Sequence, residues 1–506
     1  MPTARSSTEP GLAGWVDAVA DLRHLLRFRA ATVRRPRAAG VALLVLLGVT
    51  LVAAVGPLLV DGSGRATFLD DHLGAMLAGF LALAVASSMA SGGGRELIPR
   101  EQAAIHPISH RTEHLGALAL APLNFAWLLQ AWLLLGITAR VTGPDGWVGG
   151  QVVVAAWIVC ATAIAQVLGW VVETVRRTPH GVAVVRGLAV VLVTVGVGLQ
   201  ATDRLLPLLD ASPTRVLADT VTARDGALPV VLVLVALTAA AVVVGALPAG
   251  VALRRTPREE LTVESGSHPA RPLPASDLAV LRRIDRASVW RAVPMRRGLV
   301  VLAVGPGLVA LGGGMDWTQV LVLPALVISG GALLFGVNAW CLDGRGALWR
   351  ESLPVGPETV FAARALTLAE WLGAAALVTV ALAALRAGVP SATEVMALVA
   401  TLVVVLLQVV AVSMSWSGRR PFPVQLASAR ATPAPPIVMV GYSARLAVST
   451  TLTAMLFSSA AQAPAWWLVP ALAVPFLVWS WVRLRRARRR WLDAPQRARV
   501  VVAVAA

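Results

Sequence analysis

Apolar residues in this 506-residue chain are gathered into long runs and do not recur with an amphipathic period. A helix crossing roughly 30 Å of hydrocarbon needs about 20 such residues. Twelve runs of that order can be read, near 39–60, 73–92, 116–137, 147–171, 182–200, 228–250, 298–313, 318–340, 365–385, 394–415, 438–460 and 464–482. Tryptophans stand where such helices would leave the hydrocarbon, at Trp147, Trp170, Trp317, Trp340, Trp416, Trp466, Trp467, Trp479 and Trp481, and Tyr442 fits the same interfacial role. The first 38 residues differ. Arg and Asp interrupt their apolar positions and no cleavage site follows an apolar core, so no signal peptide is expected. They predict an amphipathic helix with Trp15, Val19, Leu22 and Leu26 on one face and Arg23, Arg27 and Arg34 on another. Such a helix lies in the headgroup plane against anionic lipid, or packs as a soluble helix on the inner loops.

Composition excludes a soluble domain: 57% of residues are apolar and only 14% charged, against roughly 25% charged in soluble proteins. Mean hydropathy is +0.74. All 44 basic residues are Arg, set against 27 acids for a net charge of +17. Without Lys there is no Walker A loop, whose final Lys must reach the phosphates, so the chain is not expected to hydrolyse ATP or to act as an enzyme. Cys160 and Cys341 give no CxxC and no zinc spacing. If both termini are cytoplasmic, the outer loops hold only Arg65, Arg140, Arg204, Arg215, Arg224 and Arg386, leaving 38 of the 44 arginines inside. That partition predicts a multi-pass protein of the cell membrane with both ends in the cytoplasm.

The chain also repeats itself. DLRHLLRFRAATVRR (21–35) aligns with DLAVLRRIDRASVWR (277–291) at an offset of 256, pairing Asp21 with Asp277, Leu25 with Leu281 and Val33 with Val289. GGGRELIPREQAAIHPIS (92–109) aligns with LDGRGALWRESLPVG (342–356), where Arg100 and Glu101 answer Arg350 and Glu351, and Pro107 answers Pro354 at an offset of 247. The expectation is an all-α polytopic protein of about twelve transmembrane helices in two parallel six-helix repeats, a pseudo-dimer. Its parts are a cytoplasmic amphipathic segment (1–38), a first half (39–255), a linker with a second amphipathic helix (256–297), a second half (298–482) and a basic tail (483–506). The outer segment 201–229 is long in the first half. Its leucines predict a short helix on the outer rim, and its Asp, Pro and Thr content equally fits a plain tether.

An inner amphipathic helix, two spans, an inner segment with an Arg-Glu pair and a Pro before the next helix, then four more spans: this order resembles the membrane subunit of ABC-type export permeases. The specific match lies in REQAAIHPISHRTEHLGALAL (100–120) and RESLPVGPETVFAARALTL (350–368). His106 stands where the second half has Leu353, and fusion of two halves departs from the commoner separate subunits. The resemblance implies coupling segments that seat in grooves of separate ATPase subunits, at two docking sites, with ATP and Mg held by those partners and no cofactor on this chain. The residues assigned to coupling are Arg100, Glu101, Pro107, Ser109, Glu113, Arg350, Glu351, Pro354 and Glu358. Ser109 and Gly356 fall at the expected N-caps, with Glu113 and Glu358 in the first turns, so each segment ends in a capped helix start.

Polar residues within the runs are few: Asn124, Gln130, Gln166, Asn338, Glu370 and Gln408 are the candidates for a translocation path. Glu370 lies near the inner end of its run, within reach of Arg364. His106, His110 and His114 recur every four residues, but Pro107 interrupts the spacing and the aligned positions Leu353, Pro357 and Phe361 offer no ligand, so no metal is expected. The substrate path between two mainly apolar halves would suit an amphipathic or hydrophobic compound, with lipid as a further partner and no nucleic acid. A secondary transporter resembling the major facilitators is the alternative, since it shares the layout and its second inner loop resembles LDGRGALWR (342–350). A membrane-embedded lipid-modifying enzyme would need clustered acids or histidines at one membrane face.

Overall fold

Once water is gone, apolar runs satisfy their backbone groups internally as helices, and in the computed structural model of this chain the regular structure of the described residues is helical throughout. Those residues are 13–31, 36–59, 66–90, 108–123, 125–223, 226–255, 272–423, 434–463 and 467–505. Among them nine helices are long and apolar enough to cross a membrane. The chain is a polytopic helical membrane protein, and it divides into two compact units, Met1–Gly266 and Ser267–Ala506.

The first unit contains α1 (Ala13–Ala31), α2 (Pro36–Val55), α3 (Ala66–Ala90), α4 (His110–Leu120), α5 (Phe125–Arg176), α6 (Gly181–Ala201), α7 (Leu205–Asp210), α8 (Thr214–Ala223) and α9 (Ala227–Arg254). Pro122, which cannot donate to the preceding turn, sits in the 3-10 turn Ala121–Leu123 that closes α4, so the run 116–137 is split between α4 and α5. The 52 residues of α5 would make a rod about 78 Å long. Gly143 prevents this: its φ of 62° and ψ of −174° fall in a region essentially confined to glycine. Trp127 Nε1 donates to Thr162 Oγ1 at 2.8 Å and Gln151 Nε2 to the Leu135 carbonyl at 2.9 Å. The two limbs of α5 are therefore a hairpin, and the run 147–171 lies along its predecessor. Leu73, Leu77, Phe80, Val153, Trp157 and Val221 form the core of this unit. Val184, Leu188, Val190 and Val191 on α6 are exposed, an apolar surface suited to lipid.

Two local expectations resolve here. The described residues between 201 and 223 carry two short helices, α7 and α8. Leu217, Ala218 and Val221 of α8 are buried and Thr214 Oγ1 donates to the Gly74 carbonyl at 2.8 Å, so this stretch is no loose tether. Helix α1 packs on α4 through Trp15 and buried Ala18, with Arg111 5.4 Å above the Trp15 ring and Thr112 Oγ1 donating to Asp21 at 3.4 Å. Val16, Val19 and Phe28 remain exposed on different sides of α1.

The second unit contains α10 (Asp277–Arg291), α11 (Val293–Gly313), α12 (Trp317–Val320), α13 (Leu323–Phe335), α14 (Ala347–Glu351), α15 (Pro357–Ala384), α16 (Ala392–Ser417), α17 (Pro436–Ala461), α18 (Leu468–Leu492) and α19 (Ala494–Ala505). The run 318–340 is not one helix. It passes from α12 through α13 into 3-10 turns over Gly336–Leu342, broken at Asn338 with φ −141° and ψ 74°. Pro306 cannot donate to the Leu302 carbonyl of α11, and Thr379 Oγ1 reaches that carbonyl at 3.4 Å and the adjacent Ala303 carbonyl at 2.7 Å. The basic residues after 483 are helical: α18 runs to Leu492 and α19 packs back with Val500, Val501 and Val504 buried.

The interfacial role expected of several aromatics does not hold. Trp170, Trp317 and Trp340 are buried, and Tyr442 is fully buried with its hydroxyl 2.6 Å from Ser413 Oγ. Each satisfies its polar handle or stacks inside the bundle, as Trp317 does by donating to the Gly388 carbonyl at 3.0 Å. Trp467, Trp479 and Trp481 are exposed.

Candidate functional site

Helix α10 starts at Ser276, whose Oγ accepts the Ala279 N–H at 3.3 Å, with Asp277 in the first turn. Its inward stripe is Leu281, Asp285 and Val289, so a carboxylate occupies a position that patterning reserves for an aliphatic side chain. The matching anomaly on α15 is Arg364, within the buried stripe Phe361, Arg364, Leu368 and Leu372. Asp285 and Arg364 are each 1% exposed. Arg364 Nε lies 3.1 Å from Asp285 Oδ2, and its Nη2 lies 2.7 Å from Asp343 Oδ1. Arg350 of α14 completes the set with Nη2 2.8 Å from Asp285 Oδ1 and a short contact to Asp343.

Two carboxylates and two guanidiniums thus neutralise one another where four separate elements meet. Buried ions persist only when paired in this way. The Arg364 guanidinium also stands 5.3 Å from the Trp340 ring, and Trp340 stacks on Trp491 of α18 at 3.7 Å and 5°. Trp491 Nε1 donates to the Pro357 carbonyl at 2.9 Å, tying α18 to the start of α15. The outward face of α14 carries Leu348 and Trp349, 56% and 63% exposed. A cleft lined by Asp343, Arg350, Glu351, Trp491 and Val504 opens beside the cluster.

The coupling residues expected in this unit separate. Arg350 turns inward to the cluster, whereas Glu351 turns to Arg497 of α19 at 2.6 Å. Glu358 pairs with Arg488 of α18 at 2.7 Å, and Pro354 is exposed between α14 and α15. Gly356 is the N-cap of α15 and Pro357 its first residue. In the first unit, Arg100, Glu101 and Pro107 lie outside the described residues. Ser109 caps α4 by accepting the Thr112 N–H at 3.0 Å, with half-buried Glu113 in the first turn.

The residues expected along a path do not gather into one site. Asn124 lies outside the described residues. Gln130 is half-buried on the first limb of α5, while Gln166 accepts from Ser88 Oγ at 3.5 Å. Gln408 accepts from Thr453 Oγ1 at 3.3 Å, and Asn338 Nδ2 donates to the Phe422 carbonyl at 2.9 Å. Glu370 does not pair with Arg364. It pairs with Arg282, and with Arg286 at 2.7 Å, because α10 crosses that side of α15 and Arg364 is taken up by two aspartates.

His114 of α4 is buried, and its Nδ1 accepts the Trp170 indole N–H at 3.2 Å. Burial holds the imidazole neutral, its pKa lowered from 6.5 to about 4. A Cβ on Gly245 of α9 would stand 2.6 Å from His114 Cε1, so glycine there makes room for the ring. His106 lies outside the described residues. Nearby, Arg177 and Glu173 pair at 3.0 Å and Arg177 Nη1 donates to the Arg255 carbonyl at 2.7 Å, closing the end of α5 onto α9.

Sequence reasoning passed over Asp285 altogether and treated Arg364 only as a partner for Glu370. The signal was present as a single charged residue on the buried stripe of each of two helices. Comparisons with protein-family models, curated proteins and solved structures find no match.

Proposed function

We propose that this chain is the membrane subunit of an ABC-type exporter, two parallel six-helix halves in one polypeptide, moving an amphipathic or hydrophobic compound with ATP hydrolysed on separate subunits. Two limbs in the α5 hairpin, with α2 over most of the run 39–60 and α17 over 438–460, support a count of twelve beyond the nine long apolar helices. The Arg partition supports cytoplasmic termini in the cell membrane.

The observation that carries the reading is the mounting of α14. Its Arg350 is locked into the buried ion cluster, while Leu348 and Trp349 project outward. A short helix fixed to α10 and α15 and presenting an exposed Trp is suited to receive a partner and pass its movement to the spans. Mild-detergent purification of the tagged chain is expected to bring down an ATP-binding subunit, and Trp349→Glu to reduce that capture at least tenfold without shifting the thermal midpoint. Transport that persists in cells lacking every ABC ATPase sinks the proposal. A major-facilitator-like transporter would then take its place, favoured by Asp343 of LDGRGALWR, which bridges Arg350 and Arg364 and so ties that loop to α15.

A further inference from the structure

Between Glu394 and Asp493 the sequence has ten arginines and no acidic residue. Four of them converge where three helices of the second unit end or begin. Arg419 lies two residues past α16, Arg445 lies in the third turn of α17, and Arg483 and Arg490 lie in the last turns of α18. Helices α16, α17 and α18 pack on one another at this end, where Trp416 lies 5.5 Å from Tyr442. Arg419 stands within electrostatic reach of Arg490 and Arg445, and Arg483 within reach of Arg445 and Arg419. Burial and the like charges of Arg490 and Arg445 push the Arg419 guanidinium below its usual range.

Three other arginines of this stretch are engaged: Arg488 with Glu358, Arg420 over the Trp416 ring at 4.6 Å and Arg485 over the Trp481 ring at 5.2 Å. The four have no carboxylate partner among the described residues. The buried indole N–H of Trp416, beside them, has no acceptor either. Like charges gathered with no counter-ion mark a place that an anion completes. The depth of the cluster identifies the anion's carrier. Exposed Trp479 and Trp481 immediately precede Arg483 on α18, and indoles of this kind settle at the headgroup level of a bilayer.

We propose that Arg419, Arg445, Arg483 and Arg490 form a binding site for the phosphate of an anionic phospholipid. Guanidiniums suit phosphate oxygens because their planar donors can bind them in pairs, and a basic pocket between helices at headgroup depth is a setting in which anionic lipids are held. Four guanidiniums exceed the charge of a single phosphodiester, so a lipid with two phosphates fits the site better than one.

The test uses the full chain in neutral detergent, titrated with cardiolipin, phosphatidylglycerol, phosphatidylcholine or inorganic phosphate at constant ionic strength, with bound lipid counted by native mass spectrometry and stability by thermal midpoint. Cardiolipin is expected to bind and raise the midpoint, phosphatidylglycerol to do so more weakly, and the other two to do neither. Arg419→Gln with Arg445→Gln is expected to weaken cardiolipin binding at least tenfold. Arg204→Gln with Arg215→Gln, the same change of charge in the other unit, is expected to leave it intact. Should the Gln pair fail to fold, Arg419→Lys with Arg445→Lys keeps the charge and is expected to lower affinity through loss of paired donors. Equal binding by wild type and both pairs at the site overturns the proposal. So does an equal response to phosphatidylcholine, and an equal response to inorganic phosphate would assign the arginines to a free anion instead.

Discussion

In the first unit α4 buries a neutral imidazole against an indole; in the second, α15 buries a guanidinium among two carboxylates and a second guanidinium. The alignment makes the contrast sharper. At the offset of 247, Phe361 answers His114 and Ala117 answers Arg364, while at 256 Arg29 answers Asp285. Arg100 answers Arg350, but the positions answering Asp285 and Arg364 carry no matching charge in the first unit, and Phe361 offers no imidazole in the second. A homodimer would have to place the same chemistry at both ends, and one chain with two units is free to make one end sensitive to protons and the other dependent on ion pairing.

Removing one member of the ion cluster is expected to have the largest effect. Arg364→Met leaves Asp285 and Asp343 in a site with too little positive charge, and loss of one partner from a buried set costs about 3–5 kcal/mol. The thermal midpoint in detergent should fall steeply. The fourfold variant Asp285→Leu, Asp343→Leu, Arg350→Met and Arg364→Met removes every charge together and should recover most of that loss, since apolar replacement of a whole buried set is often near neutral. A single variant as stable as wild type would show that the second unit does not depend on the cluster.

The first unit is expected to respond to pH instead. The unfolded His114 takes its proton near 6.5, whereas the folded one resists it down to about 4. Stability is therefore fully present above 6.5 and falls as pH drops toward 4, by about 3 kcal/mol over the window. Other groups also titrate there, so the readout is the difference between wild type and His114→Gln, whose amide oxygen still accepts from Trp170. Midpoint curves that run parallel from pH 7 to pH 4 would remove His114 from the account.

Much of the architecture was legible in the sequence because a bilayer imposes one requirement on every span: length without charge. Most runs mark helices correctly. The breaks were unevenly marked: the gap between the runs 116–137 and 147–171, with Gly143 and Pro144 in it, announces the reversal within α5, whereas nothing in the run 318–340 announces the break at Asn338. The site was less legible. Asp285 reads as one more charge on an amphipathic helix, because facing inward depends on Arg350 and Arg364 arriving from 65 and 79 residues away. The burial of Trp340 likewise rests on stacking against Trp491, a contact that no spacing within either helix announces.

The smallest expected effect lies on the rim of the same region, where Glu351 meets Arg497. Glu351 looks, in sequence, like half of an Arg-Glu pair with Arg350. Its carboxylate is 40% exposed and bonded to α19, while Arg350 is 8% exposed and bonded to aspartates. Exposed pairs of this kind contribute about 0–1 kcal/mol, because water already solvates both charges and the side chains lose freedom on pairing. Glu351→Gln should thus shift the thermal midpoint by less than a quarter of what Arg364→Met does, and added salt should erase the difference from wild type. Helix α19 should stay in place, since buried Val500, Val501 and Val504 hold it independently of the charge. Protease sensitivity at the α18–α19 junction reports on this. A large rise in cleavage with Glu351→Gln would mean that the ion pair and not the valines fastens α19, and would bring the rim into the same class as the buried cluster.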